Sequence, residues 1–461
     1  MLSWRKQDIR GISPYKSKLY INVSPFRKPM DLASYMLTKK ESIQGLTVHD
    51  RELDVSESEH FIVAVVGPRR GGKTYFLYNL LRRRGLSDHE FVFLNFEEPV
   101  EVSSLDEVLA VHQEIYGVEP RYIFLDEIQA LEGWERRVYA LFERKRYRIF
   151  VTGSSSRLLS REVATQLRGR ALPFYVYPFS LREVLRIYGI ELKSYYSDYE
   201  GARIRSIASS CLKRGFFPDV VLDHVEPFRF YREFVDLIAY RDIIERYRVR
   251  NLYALELFLR SCISSNASLF SVHRLYNTLK SQGAKVSKKL LYSFQRMVED
   301  SMFGFFLHKY ARSTRIAALS MPKFYLVDNG VYAFHEGKNL GKLLENVVLL
   351  ELAKRGYTLN TDVFYWRDER GYEVDFIIAE KGAVRELIQV SYATGEDEVE
   401  RRELDALARC ASAFKCDRLT IVTWSFEGKL EAEGRPVIAI PFWKWSLSLR
   451  SITNAVRTSR T

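Results

Sequence analysis

The stretch GPRRGGKT at residues 67–74 constrains the fold of this chain more than any other segment. It satisfies the pattern G-x-x-x-x-G-K-[ST] at every position. The apolar run FIVAVV precedes it, and TYFLYNLLRRR follows with apolar residues at helical spacing. A strand, a glycine-rich loop and a helix in this order predict a loop whose backbone N–H groups surround phosphates at the positive end of a helix.

The residues of this loop have different expected roles. Lys73 is expected to reach the β- and γ-phosphates, and Thr74 is expected to hold Mg²⁺. The predicted nucleotide-binding set is Gly67, Pro68, Arg69, Arg70, Gly71, Gly72, Lys73, Thr74 and Tyr75. A buried structural turn is the alternative interpretation, but the flanking strand and helix favour the nucleotide site.

A second apolar run, Tyr122 to Leu125, ends in the carboxylates Asp126 and Glu127. Such a run is typical of a buried parallel strand. At the carboxyl end of that strand, Asp126 is expected to orient Mg²⁺ through its water shell, and Glu127 to polarise the attacking water. Because the pair follows a complete phosphate-binding loop, it predicts the metal-binding and general-base carboxylates.

A third β run, Ile149 to Thr152, ends in the small polar cluster Gly153 to Ser156. A hydroxyl at this strand end, for which we take Ser154, is expected to contact the γ-phosphate or to position the water. The alternative is a helix N-cap, because serine before RLL is also a good capping sequence.

Two arginines, Arg168 and Arg170, flank a glycine farther along the chain. A guanidinium near the γ-phosphate stabilises the transition state of phosphoryl transfer, whether it comes from the same chain or from a neighbour. We prefer Arg170 for this role, with Arg168 as the alternate. A surface arginine is the competing interpretation of each.

Several segments resemble a known family, the AAA+-like archaeal ATPases, found mostly in archaea and some bacteria. In the first half these are GPRRGGKT, LDEIQALEGWE, TGSSSRLL, LRGR and YPFSLREVL, and downstream they are RGFFPDVVL, YREFVDLIAYRDIIERYRV, FYLVDNGVY and GYEVDFII. The resemblance covers about residues 60 to 440 and implies ATP rather than GTP as the nucleotide. It also implies a C-terminal domain with a restriction-endonuclease-like fold.

The predicted fold class is α/β with several domains. An N-terminal extension with no identified chemistry (1–60) precedes a parallel-sheet P-loop core (61–183) and a helical lid (184–250). A winged-helix domain (251–320), the nuclease-like domain (321–445) and a basic tail (446–461) are expected to follow.

The expected winged helix and the charge of the chain both favour a polyanionic partner. Lysine and arginine number 70 against 58 acidic residues, a net charge of +12. Gly283 is expected in the turn between two helices and Ser287 at the start of the second, which enters the major groove in this type of module. Lys285, Lys288, Lys289 and Arg296 are expected to face DNA there. A protein-contact module is the alternative.

The nuclease-like domain lacks part of the pattern that its fold implies. The resemblance places acidic metal ligands at Glu345 and Asp375 and expects an acid, one residue and a lysine on the next strand. The chain has Gln389 and Ser391 at these two positions. Neither supplies the required charge, so we predict a degenerate site that recognises nucleic acid without cutting it. Glu386 is a possible replacement for the lost acid.

The remaining composition narrows the class of protein. The four cysteines are scattered without paired short spacings, which predicts buried free thiols. The chain has no apolar run near the roughly 18 residues that a membrane span needs, so a soluble cytoplasmic protein is expected. We expect an Mg²⁺-dependent ATPase that acts on DNA, either alone, as a homo-oligomer or with a partner protein. The alternatives are a nucleotide switch with negligible turnover and an ATP-gated nuclease.

Overall fold

The computed structural model describes residues 30–55, 59–153, 167, 169–337 and 339–448. The helices are α1 (Leu32–Gly45), α2 (Lys73–Arg84), α3 (Leu105–Tyr116), α4 (Trp134–Phe142), α5 (Leu181–Ile187), α6 (Asp198–Arg214), α7 (Pro218–Val221), α8 (Pro227–Leu237), α9 (Leu252–Ser264), α10 (Val272–Ser281), α11 (Lys288–Asp300), α12 (Thr314–Leu319), α13 (Asn329–His335), α14 (Leu340–Lys354), α15 (Arg401–Phe414) and α16 (Phe442–Leu447). A π-helical segment, Ile238–Glu245, continues α8.

The strands form three sheets. They are β1 (Ile62–Val66), β2 (Phe91–Asn95), β3 (Tyr122–Asp126), β4 (Arg148–Gly153), β5 (Ala171–Tyr175), β6 (Ser268–Leu269), β7 (Gly304–Leu307), β8 (Lys323–Leu326), β9 (Val363–Arg367), β10 (Glu373–Glu380), β11 (Ala383–Ser391), β12 (Leu419–Thr423), β13 (Gly428–Ala432) and β14 (Arg435–Pro441).

The first sheet has five parallel strands in the order β2-β3-β4-β1-β5. Strands β1 and β3 are buried along their whole length, as expected for a parallel sheet with both faces covered. Because the strands are parallel, their carboxyl ends meet at one edge, which brings the loop after β1 together with Asn95 and Asp126. This sheet confirms the predicted α/β fold class.

Helix α1 belongs to this first layer rather than to a detached extension. It begins after Asp31, whose side chain caps it, and it buries Leu32, Tyr35 and Met36. These side chains join the same apolar cluster as Ile62 and Ala64 of β1. Residues before the phosphate-binding loop therefore help to build the sheet that carries it.

The buried carboxylate of Asp328 links the helices after the sheet through hydrogen bonds. It accepts hydrogen bonds from the Phe216 backbone N–H (2.7 Å), the Tyr231 hydroxyl (2.7 Å) and the Gly330 backbone N–H (2.8 Å). Gly215 lies beside this group with φ +94°, and a Cβ there would stand 1.8 Å from the Tyr231 hydroxyl oxygen. The segments RGFF and VDNG, which are far apart in the sequence, thus meet in one hydrogen-bonded group.

A small module follows, in the element order α9, β6, α10, α11, β7, α12 and β8, with a three-stranded antiparallel sheet β6-β8-β7. Gly283 adopts φ +78° in the turn between α10 and α11, and Ser287 caps α11 by accepting from the Leu290 N–H. Both residues occupy the positions predicted for them. Helix α11 buries Leu291, Phe294 and Val298 and leaves its other side to solvent.

The C-terminal part contains a six-stranded mixed sheet in the order β13-β14-β12-β11-β10-β9. Helix α14 packs against one face of this sheet. Helix α15 packs against the other face, where it contacts an apolar cluster that includes Leu387 and Ile377 of the sheet. One apolar cluster runs from Phe179 through the small module to Trp445. Helices α5 to α8, the small module and this sheet therefore share a core.

All four cysteines are free and buried, as the sequence predicts. Within the ranges given above, the structure has no helix that is long and apolar enough to cross a membrane.

Candidate functional site

The phosphate-binding loop turns into α2 at Gly72, which has φ +90° and is followed by Lys73 at the first helical position. The left-handed backbone at Gly72 suits a residue without a Cβ. Arg70 also has a positive φ, +59°. Tyr75, in the first turn of α2, is 51% exposed and therefore lies at the rim of the site.

The Lys73 side chain lies inside the loop. Its ammonium donates to the carbonyls of Gly67 (3.3 Å) and Pro68 (3.1 Å) and lies 3.8 Å from Glu127 Oε1. Burial lowers the pKa of Lys73, although the neighbouring carboxylates oppose this effect. The ammonium is thus held at the edge of the sheet where the loop meets β3.

Thr74 and Asp126 point at each other across this edge. The Thr74 hydroxyl donates to Asp126 Oδ2 at 2.8 Å, and the Asn95 side chain donates to the same oxygen at 3.1 Å. Asp126 is fully buried, and burial raises its pKa to about 6. A hydroxyl beside a buried carboxylate offers the hard oxygen ligands that Mg²⁺ takes, so these residues fit the ion that the sequence implies.

Glu127 follows in a left-handed conformation, with φ +49° and ψ +44°. Gln129, in a short 3₁₀ turn, donates its side-chain N–H to Glu127 Oε2 at 2.5 Å. This contact restrains the carboxylate beside Lys73. Gln129 was not among the predicted site residues, although it lies within the same DEIQ segment.

Thr152 is the strand-end hydroxyl that the structure places in the site. Its hydroxyl donates to Asp126 Oδ1 (2.5 Å) and accepts from the Glu127 backbone N–H (3.0 Å). It can do both because β4 lies between β1 and β3. The predicted Ser154 lies outside the described residues, so its role stays a prediction.

Arg51 also belongs to the site, although no sequence pattern pointed to it. It is 9% exposed and lies under the loop, where it donates to the Gly71 carbonyl at 3.3 Å and to the Tyr177 carbonyl at 2.5 Å. Its Nε donates to Glu183 Oε1 at 3.0 Å. Residues before β1, for which no chemistry was identified from sequence, thus support the loop directly.

Two arginines of the loop reach the lid. Arg69 Nε donates to Asp242 Oδ2 at 2.8 Å, and Asp242 belongs to the π-helical segment. The Arg70 guanidinium lies 3.9 Å from Glu233 and 5.3 Å from the Phe230 ring centre. π-helical turns inside α-helices occur frequently at functional sites.

Arg170 lies at the opposite edge of the sheet. Its carbonyl accepts from the Ile62 N–H at 2.7 Å, where β1 begins, whereas the phosphate-binding loop follows the end of β1. At about 3.3 Å per strand residue, the two ends of β1 are separated by roughly 13 Å. Arg170 is exposed, and its role as the transition-state arginine stays a prediction. Arg168 lies outside the described residues.

In the C-terminal domain, Glu345 and Asp375 do come together, but with a lysine between them. Lys323 Nζ lies 2.5 Å from Glu345 Oε1 and 3.0 Å from Asp375 Oδ1. Gln389 Oε1 accepts from the Asp375 N–H at 3.4 Å. Lys323, on β8, was not predicted to take part.

Glu386 does not replace the missing acid. It precedes Gln389 by three residues on β11 and therefore points to the other face of the sheet. There it pairs with Arg418 (3.1 Å) and accepts from Thr420 (2.9 Å). The expectation that Glu386 could substitute for the lost ligand is wrong for this reason.

Comparison with known proteins agrees with the first sheet and its loop. Residues 59–185 match the family described as an AAA domain. Residues 208–340 and 340–443 match two domains of unknown function, DUF8612 and DUF4143. The chain thus carries a P-loop nucleotide-binding domain of the AAA type followed by domains to which these matches assign no activity.

A full-length relative shows the family. The chain is 33% identical over 427 residues to the uncharacterized protein MJ1544 of Methanocaldococcus jannaschii, covering 90% of this chain and 94% of the relative. The chain belongs to the family of that protein. An uncharacterized protein of Haemophilus influenzae is 28% identical over 400 residues, covering 83% and 94%. The Walker-type ATPase paby2304 of Pyrococcus abyssi aligns with a TM-score of 0.39 and 16% identity over 60% of this chain and 91% of that one.

Proposed function

We propose that the protein is an Mg²⁺-dependent ATPase that uses hydrolysis to control a DNA-binding C-terminal half. The observation that supports it most is the 2.8 Å contact between the Thr74 hydroxyl and Asp126, with Lys73 and Glu127 beside it. No other part of the described chain combines a phosphate-binding loop with a buried carboxylate at the same sheet edge.

Each residue has a defined task in the proposed reaction. The loop N–H groups and Lys73 bind the phosphates, and Thr74 and Asp126 hold the metal, which neutralises phosphate charge. Glu127, restrained by Gln129, orients the water that attacks the γ-phosphate. Arg170 completes the transition-state charge only for an adjacent copy, so this role requires a homo-oligomer.

The binding half of the proposal is tested with a fluorescent ATP analogue. Lys73→Ala should weaken ATP binding at least about 100-fold, because it removes a buried ammonium that contacts the loop. Lys429→Ala, an exposed lysine on β13, is the matched control and should bind as the wild type does. Equal affinity of the Lys73→Ala variant and the wild type would remove the basis for the assignment.

The DNA part is supported by the exposed face of α11 and by the turn before it. Lys285, Lys288, Lys289 and Arg296 are all exposed, and Tyr292 between them is 54% exposed. Among the described residues, none of the four cations pairs with a carboxylate within 4.0 Å. We propose that the small module is a winged helix and that α11 is its recognition helix, since cations beside an aromatic ring suit a phosphate backbone.

A charge-reversal pair tests this surface. Lys288→Glu with Lys289→Glu should weaken duplex DNA binding at least about tenfold at low salt and flatten its salt dependence. The control, Lys381→Glu with Lys429→Glu, makes the same change in net charge on exposed residues of the C-terminal sheet. Equal losses in both double variants would show a nonspecific charge effect and would contradict the recognition-helix assignment.

A series of buried contacts supports coupling between the two halves. Arg51, which contacts the loop at Gly71, also pairs with Glu183 of α5. The N–H of Leu181, at the start of α5, donates to Glu351 of α14 at 3.3 Å. If DNA raises the rate of phosphate release, Glu351→Met, which removes the acceptor for the Leu181 N–H, should reduce that stimulation and leave the basal rate unchanged. A nucleotide switch predicts instead negligible release with and without DNA.

A further inference from the structure

Four charged side chains meet in a buried group between the small module and the C-terminal sheet. Lys323 is 2% exposed, and its Nζ lies 2.5 Å from Glu345, 2.9 Å from Glu373 and 3.0 Å from Asp375. The lysine belongs to β8, Glu345 to α14, and the other two acids to β10. The ammonium donates hydrogen bonds to Glu345 and Asp375 and forms an ion pair with Glu373.

Two of the carboxylates accept further hydrogen bonds. The Tyr325 hydroxyl donates to Glu345 Oε1 at 2.7 Å, and the Val390 N–H donates to Asp375 Oδ2 at 3.0 Å. Asp375 therefore has both oxygens occupied by protein donors. A divalent cation placed where the three carboxylates meet would have to displace the Lys323 ammonium.

The electrostatics keep this ammonium charged. Burial by itself lowers the pKa of Lys323, but Glu345, Tyr325, Asp375 and Glu373 together raise it well above its ordinary value. Burial and the charge of Asp375 raise the pKa of Glu345 to about 8. Among the three carboxylates the ammonium of Lys323 is therefore the cation of the group.

The rest of the expected metal site is also altered. Gln389 is neutral, and its side-chain oxygen faces the Asp375 N–H. Ser391 provides no ammonium where the resemblance expects a lysine. In the part of the chain that the structure describes, no group of three or more His, Cys, Asp or Glu side chains is arranged to hold a metal ion.

We propose that the Lys323 ammonium takes the place of the divalent cation in the nuclease-like domain, so that this domain binds no catalytic metal and cleaves no DNA. The ion pairs instead fasten β8 of the small module to α14 and β10. This inference does not depend on ATP hydrolysis at the phosphate-binding loop.

Mn²⁺ binding to full-length, nucleotide-free protein tests the inference by electron paramagnetic resonance and calorimetric melting. Wild-type protein and the Asp375→Asn variant should bind the same amount of Mn²⁺, because the wild type has no Mn²⁺ site at Asp375. Mn²⁺ should also leave the Tm of the wild type unchanged. Lys323→Met keeps the length of the side chain but removes its charge. It should melt at least about 5 °C lower, bind one Mn²⁺ per chain, and regain much of the lost Tm when Mn²⁺ is added.

Two controls make the outcome decisive. Lys429→Met should match the wild type in both measurements, and Asp375→Asn should abolish the Mn²⁺ site of the Lys323→Met variant. The inference would be overturned if the wild type binds Mn²⁺ or cleaves plasmid DNA and Asp375→Asn eliminates that activity. This test does not require Lys323→Met to fold. A folded Lys323→Met variant that ignores Mn²⁺ would also overturn it, because the lysine would then be only a structural ion-pair partner.

Discussion

Arg51→Met should destabilise the first sheet strongly, because Arg51 and Glu183 form a buried ion pair. Their side chains are 8% and 5% exposed. Removing one member of a buried pair costs about 3–5 kcal/mol. At about 2–4 °C per kcal/mol for a domain of 150–250 residues, the unfolding transition of this domain should fall by about 6–20 °C in differential scanning calorimetry.

A second substitution distinguishes the loss of the ion pair from the loss of side-chain packing as the cause of the destabilisation. Glu183→Gln keeps the N-terminal capping box of α5, because glutamine also satisfies that motif. In the Arg51→Met background it removes the unpaired buried charge, so the double variant should recover part of the lost Tm. The coupling energy of the double-mutant cycle should be at least about 1 kcal/mol.

The same variant should report on the loop. Arg51 donates to the Gly71 carbonyl, so Arg51→Met should raise the Kd for ATP about tenfold, while Glu183→Gln alone should change it little. Melting of Arg51→Met within about 2 °C of the wild type would refute the reasoning. Strict additivity of the changes in unfolding free energy caused by Arg51→Met and Glu183→Gln would refute it as well.

Three further outcomes follow from single contacts. Gln129→Leu removes the donor to Glu127, so kcat should fall about tenfold and ATP affinity should stay unchanged. Burial raises the pKa of Glu299 to about 7. The stability that the protonated group contributes is therefore complete below about pH 4.5 and is lost as the pH rises through 7, a change of up to about 3 kcal/mol in the free energy of unfolding. Glu299→Gln should remove this dependence, so its Tm should vary less between about pH 4.5 and 7 than that of the wild type. Gly215→Ala places a methyl group against Tyr231 and should leave little soluble protein, whereas equal yield and Tm would contradict the close packing.

The phosphate-binding loop and the strands around it could be predicted from sequence because their signals are local. The pattern at residues 67–74, the apolar run before it and the helical spacing after it lie within about twenty residues. The carboxylates after β3 were expected at the same edge, since parallel strands end together. The Thr74–Asp126 contact follows from this geometry.

The contacts of Thr152 and Arg51 could not be predicted from local sequence patterns. Thr152 reaches Asp126 because β4 is inserted between β1 and β3, and the strand order is not written in any one segment. A hydroxyl near the carboxyl end of a buried strand was a usable signal for Thr152. Arg51 meets Glu183 across 132 residues, and nothing near it in the sequence indicates a buried arginine.

Lys323 was missed for a related reason. In KFYLVD it looks like an ordinary polar residue at the start of a strand, and its partner Asp375 lies 52 residues away. The sequence showed that Gln389 and Ser391 lack the expected charges. It did not show that another residue supplies a cation inside the same group of acids.

The shared core also could not be anticipated from composition. The lid helices, the small module and the C-terminal sheet pack into one apolar cluster from Phe179 to Trp445, although sequence patterns suggested separate units. Such packing depends on which helix faces meet. Hydrophobic periodicity identifies an apolar face but not its partner.

Steady-state phosphate release from Mg²⁺–ATP by the wild type and by Glu127→Gln tests the central claim most directly. The wild type should turn over, and Glu127→Gln should release phosphate at least about 100-fold more slowly while still binding ATP, because it removes only the group that orients water. Glu132→Gln, an exposed neighbour, should behave like the wild type. A Glu127→Gln variant that hydrolyses ATP within about threefold of the wild-type rate would contradict the account.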